Sequence, residues 1–124
     1  MLSAFLVEDN PLIRENLSAA LVELAPVTLV GWAAGEKAAL QWFDDNQDWH
    51  LAIVDLFLED GNGLGVLRAL QARKALQRVV VLTNYATPDI RSRCTALGAD
   101  AVFDKSSEIE ALALFCDQLA AHAG

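Results

Sequence analysis

Three carboxylate side chains stand at the ends of apolar segments, where they could act together. Glu8 and Asp9 directly follow the apolar run 4–7, and Asp55 lies near the end of the apolar run 51–56. An unpaired carboxylate inside an apolar segment is costly, so Asp55 has no simple structural explanation. Carboxylates that converge repel one another unless a cation lies between them, and oxygen ligands of this kind suit Mg²⁺. These residues therefore predict a magnesium site.

Two further side chains could complete a site for phosphoryl transfer. Thr83 ends the apolar run 79–82 and could donate a hydrogen bond to a phosphoryl oxygen. Lys105 follows the apolar run 101–103 and could supply a second cation. With charge neutralised by the metal, Asp55 could attack a phosphoryl group and form an acyl phosphate. Most of these residues have an ordinary structural explanation when taken alone, but their combination does not.

The positions of these residues depend on five strands that the hydrophobic pattern predicts. Each strand is a short apolar segment, and four of the five carry no charge. Strands that are buried on both faces have nearly continuous apolar runs, so the pattern favours a parallel sheet covered by helices on both sides. The predicted strands span residues 4–7, 27–33, 51–56, 79–82 and 101–103.

A helix is predicted after each strand, and the first has the clearest pattern. Asn10 followed by Pro11 is typical of a helix start. The side chain of Asn10 can accept hydrogen bonds from the first N–H groups of the helix, and Pro11 lacks an N–H at a position where that group has no partner within the helix. Pro26 should end this helix. Its apolar stripe, which we expect to face the core, consists of Ile13, Leu17, Ala20, Leu21 and Leu24.

The other helices follow from similar signals. Gly98 should end the fourth helix from the C-cap position, and Ser107 with Glu110 matches a capping box before the fifth. The predicted spans are 36–45, 64–75, 88–97 and a last helix that runs to about His122.

Alternating strands and helices predict an α/β fold, a doubly wound five-stranded parallel sheet of the (βα)5, flavodoxin-like type. In the strand order 2-1-3-4-5, strands one and three are neighbours. Glu8, Asp9 and Asp55 would then converge at the point where such sheets bind ligands. Thr83 and Lys105 would flank them on the side of strands four and five.

The composition restricts the class of protein. The chain has 124 residues, of which 54% are hydrophobic, and a net charge of −8. These values exclude a disordered chain and argue against direct binding to nucleic acid. No apolar run approaches the roughly 18 residues of a membrane span, and the first residues lack the basic region of a signal peptide. We therefore expect a cytoplasmic protein, not bound to membranes, whose Cys94 and Cys116 are buried thiols.

The charge is unevenly distributed along the chain. The stretch 68–93 contains six basic residues and one acidic residue, Asp89. We interpret it as a solvated helical face in preference to a docking patch for an acidic partner.

Four short motifs occur in an order and at spacings that are highly specific together, although each is weak alone. They are Val7-Glu8-Asp9-Asn10, Ile53-Val54-Asp55-Leu56 with Gly63 eight residues after the aspartate, Val80-Val81-Leu82-Thr83, and Gly98-Ala99-Asp100 with Lys105 seven residues after the glycine. With these motifs the whole chain, residues 1–124, resembles a receiver domain of two-component response regulators. We expect a single-domain protein of this family, without an output domain.

The resemblance implies roles for the residues around the metal. Asp55 would be the phosphoacceptor of a phosphorelay, phosphorylated by a histidine kinase or a phosphotransfer protein. Mg²⁺ would be bound by Asp9 and Asp55 directly, by Glu8 through water, and by the main-chain carbonyl of Phe57.

The resemblance also implies how the signal leaves the domain. Thr83 would be the switch hydroxyl that moves toward the phosphoryl group, and Lys105 would form an ion pair with that group. The phosphorylated domain would then contact a downstream protein target. The sequence leaves a homodimer open.

Several positions differ from the family pattern. Glu59 replaces a common proline, and Ser106 replaces a proline that often follows the lysine, so we expect a trans bond before Ser106. Val102 stands where an aromatic residue is usual. Phe103 is adjacent, but the alternation of side chains along a strand should point it to the opposite face. The usual coupling of threonine movement to an aromatic side chain would therefore have to differ.

Three residues are expected to modulate the lifetime of the phosphoryl group. In the receiver family, the positions of Phe57 and Tyr85 control the access of water. Both side chains are large, and neither has a carboxylate or amide that could orient a water. Asn84 is bulkier than the small residue usual at its position. We therefore predict slow autodephosphorylation.

Three alternative functions explain part of the pattern. A haloacid-dehalogenase-like phosphatase also uses an aspartate nucleophile and Mg²⁺, but it needs a second aspartate where Phe57 stands. A pseudo-receiver, which only binds partners, would have lost an acid or the lysine, and none is lost. A flavodoxin-like binder of a small ligand would need a glycine loop for phosphate after strand one.

Overall fold

A computed structural model describes residues 1–123 and shows the alternation of strands and helices that the hydrophobic pattern predicts. Asn10 caps the first helix as expected, since its side chain accepts the N–H groups of Leu12 and Ile13. Gly98 follows the fourth helix with a φ of +97°. The elements are β1 Leu2–Val7, α1 Pro11–Leu24, β2 Val27–Ala33, α2 Glu36–Asp45, β3 Leu51–Val54, α3 Gly63–Ala69, a 3₁₀ turn Leu70–Ala72, β4 Arg78–Thr83, α4 Pro88–Ala96, β5 Ala101–Asp104 and α5 Ile109–Ala123.

The five strands form one parallel sheet in the order β2-β1-β3-β4-β5, which confirms the predicted topology. The last residues of β1 and β3 pair with each other, Val7 opposite Val54. At the same edge Thr83 of β4 lies opposite Asp104 of β5. The residues that follow the strands therefore emerge side by side at one edge of the sheet.

The core consists of two layers, one on each face of the sheet. One layer packs α2, α3 and α4 against the sheet, and the other packs α1 and α5 against it. Val102 belongs to the first layer and Phe103 to the second, as strand alternation predicts. Cys94 and Cys116 are buried free thiols, one in each layer, which confirms their predicted state.

The edge strand β2 contains a bulge that the sequence pattern did not predict. Ala4 and Phe5 of β1 pair with Leu29 and Gly31, so Val30 is an extra residue of β2 without a pairing partner in β1. An extra residue exchanges the two faces of a strand. Leu29 therefore packs on the layer of α1 and α5, whereas Ala33 belongs to the opposite layer.

Two ends of the predicted α1 stripe do not face the core. Leu17 and Leu21 are buried, but Ile13 and Leu24 are 36% and 49% exposed. Ile13 lines a cleft at the carboxyl edge of the sheet, and Leu24 lies beside α5 at the surface.

The third helix is shorter than predicted. It ends at Ala69, and the 3₁₀ turn that follows it ends at Ala72. The next residue, Arg73, has an extended backbone, and its guanidinium donates to the carbonyls of Leu70 and Gly98 and to the carboxylate of Asp100. These contacts turn the chain toward β4. They also place one residue of the basic stretch 68–93 in structural contacts, so this arginine is not part of a solvated face.

Other differences are small. The fifth helix begins at Ile109, one residue later than a cap at Ser107 predicts, and the carboxylate of Asp104 accepts the N–H of Ser106 in the preceding turn. The bond before Ser106 is trans, as predicted, because residues 1–123 contain no cis peptide bond. In this part of the chain, no helix has the length and apolar character needed to cross a bilayer.

Candidate functional site

Backbone hydrogen bonds just beyond the strand ends hold three of the predicted site residues in place. The N–H of Glu8 donates to β2 and that of Asp55 donates to β1, both at 3.0 Å, and the N–H of Lys105 donates to β4 at 2.9 Å. The sheet ladder thus continues one residue past each of these strands. Because the strands are parallel, the three side chains emerge at the same edge.

The three predicted carboxylates converge at this edge. Oxygen atoms of Glu8, Asp9 and Asp55 all lie within 4.8 Å of one another. Glu8 and Asp55 are only 1% and 6% exposed, whereas Asp9 is half-buried. A set of oxygen donors with this spacing fits a hard divalent cation such as Mg²⁺ better than a metal that prefers sulfur or nitrogen.

Lys105 is the cation of the cluster. Its Nζ forms an ion pair with Glu8 and lies 3.2 Å from Oδ2 of Asp55. One lysine balances only one of three carboxylates, so the cluster retains negative charge. A bound divalent cation would balance the remainder.

Burial and contacts shift the ionisation of these groups in different directions. Burial raises the pKa of Glu8 and of Asp55 above the usual carboxyl range, because the charged form loses hydration. Burial lowers the pKa of Lys105, but its contacts with Glu8 and Asp55 outweigh that effect and leave its pKa raised. For Asp9, hydrogen bonds outweigh the effect of burial, so its pKa is lowered.

Thr83 ends β4, the strand that lies between β3 and β5. It is completely buried, and its Oγ1 accepts the N–H of Tyr85 at 3.1 Å. This bond links the predicted switch hydroxyl to the loop between β4 and α4.

Two aromatic rings lie at the mouth of the site. Phe57 and Tyr85 are 52% and 60% exposed, and their rings meet edge to face with centroids 4.9 Å apart. With Asn84 they line a cleft of about 370 Å³ that also contains the carboxylates and Lys105. The predicted modulating residues 57, 84 and 85 therefore lie beside the site. Val102 is instead buried in the core, and its carbonyl accepts a hydrogen bond from the guanidinium of Arg91.

Gly63 is needed for the close packing of α3 on the backbone of Asp55. A Cβ at this position would collide with the carbonyl oxygen of Asp55 and would lie 2.6 Å from Cα of Leu56. The N–H of Gly63 also donates to the carbonyl of Leu56 at 2.9 Å. This explains the glycine eight residues after the aspartate.

A comparison of the chain with models of known protein families identifies the family to which it belongs. The model of the response regulator receiver domain matches residues 4–115. The chain belongs to this family.

The proteins that this chain resembles in sequence include regulatory proteins. The receiver domain is 32% identical over 112 residues to the photosynthetic apparatus regulatory protein RegA of Rhodobacter capsulatus, a match that covers 86% of this chain and 56% of RegA. The chain thus spans about half the length of that relative.

Solved structures confirm the fold. The signal receiver domain of the putative response regulator NarL from Mycobacterium tuberculosis is 26% identical with a TM-score of 0.80, and the match covers 94% of this chain and 96% of that one. The receiver domain of the Francisella response regulator 1452 is 16% identical with a TM-score of 0.85, and both chains are covered completely.

The structure adds contacts that sequence reasoning missed. The N–H of Glu59 donates to Oδ2 of Asp9 at 2.9 Å. The guanidinium of Arg14 donates to the carbonyl of Glu8 at 3.0 Å and lies 3.6 Å above the ring of Trp32. The replacement of a proline by Glu59 was a visible signal, since it supplies an N–H. Arg14 carried no comparable signal, because its contact with β2 depends on the tertiary fold.

A larger groove of about 870 Å³ lies between α2 and the 3₁₀ turn, over Phe43, Trp49 and Leu70. Among residues 1–123, the carboxylates with a spacing suited to a metal are those of Glu8, Asp9 and Asp55. None of these residues lines the larger groove. The carboxylates with this spacing therefore lie in the smaller cleft, together with Lys105.

Proposed function

We propose that this receiver domain accepts a phosphoryl group on Asp55 from a histidine of a kinase or phosphotransfer protein, in the presence of Mg²⁺. The observation that carries the proposal is the convergence of three carboxylates within 4.8 Å, with Lys105 3.2 Å from Asp55. Phosphoryl transfer needs a nucleophile surrounded by cations that balance the charge of the transferred group. The cleft supplies the nucleophile, one cation and the ligands for another.

Asp55 acts as the nucleophile. One of its carboxylate oxygens attacks phosphorus, and an oxygen–phosphorus bond forms as the phosphorus–nitrogen bond of the donor breaks. The bonding electron pair leaves with the donor nitrogen. If the other ring nitrogen of the phosphohistidine carries a proton, the histidine leaves with a neutral imidazole. Lys105 stays beside the new acyl phosphate and balances part of its charge.

The metal would be held by Glu8, Asp9, Asp55 and the main-chain carbonyl of Phe57. When bound, Mg²⁺ would neutralise the charge that the carboxylates and the phosphoryl oxygens bring together. The carboxylate cluster suits this role because Lys105 alone leaves it negatively charged.

Thr83 transmits the change. When its hydroxyl turns to a phosphoryl oxygen, the bond from the N–H of Tyr85 must be replaced or broken. The loop between β4 and α4 then rearranges, and a downstream protein target binds the rearranged surface. Phosphorylation is thus a local charge event that a mobile segment converts into a binding signal.

We infer a phosphoprotein that acts on its own phosphoryl group, and not an enzyme that turns over substrates. Phe57 stands where a dehalogenase-like phosphatase needs its second aspartate. A phenyl ring cannot act as a general acid.

The proposal is tested by intact mass spectrometry after incubation with a small phosphodonor and Mg²⁺. One phosphoryl group should be added, and hydroxylamine should remove it, because an acyl phosphate reacts with that nucleophile. Asp55→Asn should not be labelled. Exposed Asp89→Asn, on α4, is the matched control and should be labelled like the parent protein. Labelling of Asp55→Asn at the parent's level would contradict the assignment.

A further inference from the structure

The loop 57–62 between β3 and α3 contributes a main-chain group to the metal site. The N–H of Glu59 donates to Oδ2 of Asp9 at 2.9 Å, across 50 positions of sequence. Proline has no N–H, so the proline that is common at this position in the family could not make this bond. The glutamate therefore matters here for its backbone, while its side chain is exposed.

A second contact fixes the far end of the same loop. Oε1 of Glu36, the first residue of α2, accepts the N–H of Asn62 at 2.8 Å. The N–H of Glu36 in turn donates to the carbonyl of Asp60 at 3.0 Å. Glu36 thus binds the loop with both a donor and an acceptor.

The surroundings of Glu36 are shaped for its carboxylate. A Cβ on Gly65 would collide with both carboxylate oxygens, and a Cβ on Gly61 would collide with the side chain of Glu36. Glycines at these two positions leave the space that the carboxylate occupies. The side chain of Glu36 therefore packs directly against these two glycines.

We propose that the main-chain N–H of Glu59 positions the carboxylate of Asp9 for magnesium binding, and that Glu36 fixes the loop that presents this N–H. The inference rests on the proposed function, which places the metal at Asp9. With Oδ2 held by the N–H, Oδ1 is oriented before the metal arrives. Groups that orient a ligand in this way change metal affinity by about 10- to 100-fold. Glu59 and Glu36 are positioning residues.

Two substitutions at one position separate the backbone from the side chain. Glu59→Pro removes both the charge and the N–H, whereas Glu59→Gln removes only the charge. Magnesium binding is measured by titration calorimetry, with the melting temperature of the metal-free proteins as a control for folding. We expect the proline variant to bind Mg²⁺ at least about tenfold more weakly than the glutamine variant. The glutamine variant should stay within about fivefold of the parent protein, because an exposed charge has a small effect. Equal affinities of the two variants would overturn the proposal.

Two further measurements decide the matter if Glu59→Pro does not fold. Glu36→Gln keeps an acceptor for the N–H of Asn62, whereas Glu36→Ala removes it, so the alanine variant should bind Mg²⁺ more weakly than the glutamine variant. In the parent protein, the amide of Glu59 should exchange slowly with solvent when Mg²⁺ is bound. Rapid exchange of this amide, or equal affinities of the two Glu36 variants, would overturn the proposal.

Phosphorylation separates this inference from the function on which it rests. If the parent protein is labelled on Asp55 but Glu59→Pro and Glu59→Gln bind Mg²⁺ equally, the positioning role alone fails. If Glu59→Pro binds Mg²⁺ more weakly than Glu59→Gln but the parent protein is never labelled, the proposed function fails and the positioning role stands.

Discussion

At the scale of single residues, the site concentrates negative charge in a place where water is largely excluded. Glu8 and Asp55 are buried next to each other, and Lys105 is the cation that contacts both. Such an arrangement favours the binding of a cation, and it lowers the stability of the metal-free protein. The shifts in pKa at these residues lead to a prediction about stability.

Asp55→Asn should raise the free energy of unfolding of the metal-free protein at neutral pH. Burial raises the pKa of Asp55 above its ordinary value, so the folded state binds a proton more tightly than the unfolded state. The stability from this group is complete below its ordinary pKa and is lost as the pH rises through the raised value. Lys105 keeps Glu8 as its partner in the variant.

The measurement is denaturant unfolding in the presence of a chelator, in mildly acidic and in neutral buffer. The advantage of Asp55→Asn should grow with pH, whereas the exposed control Ala19→Ser on α1, which changes no ionisable group, should show no such trend. An advantage that is the same in both buffers would show that ionisation of Asp55 is not the cause.

The second prediction at this scale concerns the lifetime of the acyl phosphate. Hydrolysis needs a water in line with the oxygen–phosphorus bond, and the rings of Phe57 and Tyr85 meet at the mouth of the cleft. Phe57→Asn and Tyr85→Glu introduce groups that can orient a water, so both should shorten the lifetime. A tenfold change corresponds to about 1.4 kcal/mol in the barrier.

The decay of the phosphorylated protein is followed by intact mass. Tyr85→Phe keeps the ring and its bulk, so it is the matched control and should decay like the parent protein. Equal decay rates in all of these proteins would show that the two side chains do not control the access of water.

At the scale of elements, the loops after the strands carry the site, and each is tied to a neighbour. The loop after β4 is held through the bond from Tyr85 to Thr83, and the start of α3 packs on the backbone of Asp55 through Gly63. The carbonyl of Val102, buried under α4, is bonded to Arg91. A movement that begins at the site must therefore pass through specific contacts.

A phosphoryl mimic should move the loop between β4 and α4. Thr83 should turn inward, the bond from Tyr85 should be lost, and the ring of Tyr85 should leave its contact with Phe57. This change replaces the aromatic switch that Val102 cannot provide. Structures with and without the mimic provide the measurement. A Tyr85 side chain that keeps one rotamer, in a loop that does not move, would contradict this mechanism.

Gly63→Ala should destabilise the domain, because the added Cβ collides with the carbonyl of Asp55. Forcing an atom into a packed contact costs about 1 to 3 kcal/mol. The free energy of unfolding is measured with denaturant, and exposed Ala19→Ser on α1 is the control. A loss no larger than that of the control would mean that α3 can move away without cost.

At the scale of the whole molecule, a metal ion bound by the carboxylate cluster would link metal binding to folding. Its members follow β1 and β3, so an ion that binds all three stabilises the pairing of strands that are distant in sequence. Unfolding separates the ligands. Mg²⁺ should therefore stabilise the complete domain and not only the loops.

At a Mg²⁺ concentration 100 times its dissociation constant, the gain in unfolding free energy should be about 2.7 kcal/mol. Asp9→Asn should remove most of this gain. The gain should also decrease in acid, because Glu8 and Asp55 have raised pKa values and become protonated in competition with the metal. Thermal unfolding with and without Mg²⁺ at matched ionic strength measures the effect. A melting temperature that does not respond to Mg²⁺ would contradict the metal site.

The sequence alone was sufficient for the architecture and for the prediction that Glu8, Asp9, Asp55 and Lys105 come together. Strands were visible because buried segments are apolar without interruption, and the start of α1 was visible because Asn10 and Pro11 act on neighbouring backbone groups. Parallel strands must end at one edge, so residues 8, 9, 55, 83 and 105 could be assigned to one place before any coordinate was known. Their roles in phosphoryl transfer remain predictions.

Only the tertiary structure decided which contacts complete the arrangement. The bulge at Val30 depends on how β2 pairs with β1, and the bond from Glu59 to Asp9 joins residues 50 positions apart. The end of α3 depends on a carbonyl and a carboxylate that the distant residues Gly98 and Asp100 present to Arg73. Local periodicity and capping depend on neighbours in the chain, whereas register, loop closure and the end of this helix depend on partners that only folding brings together.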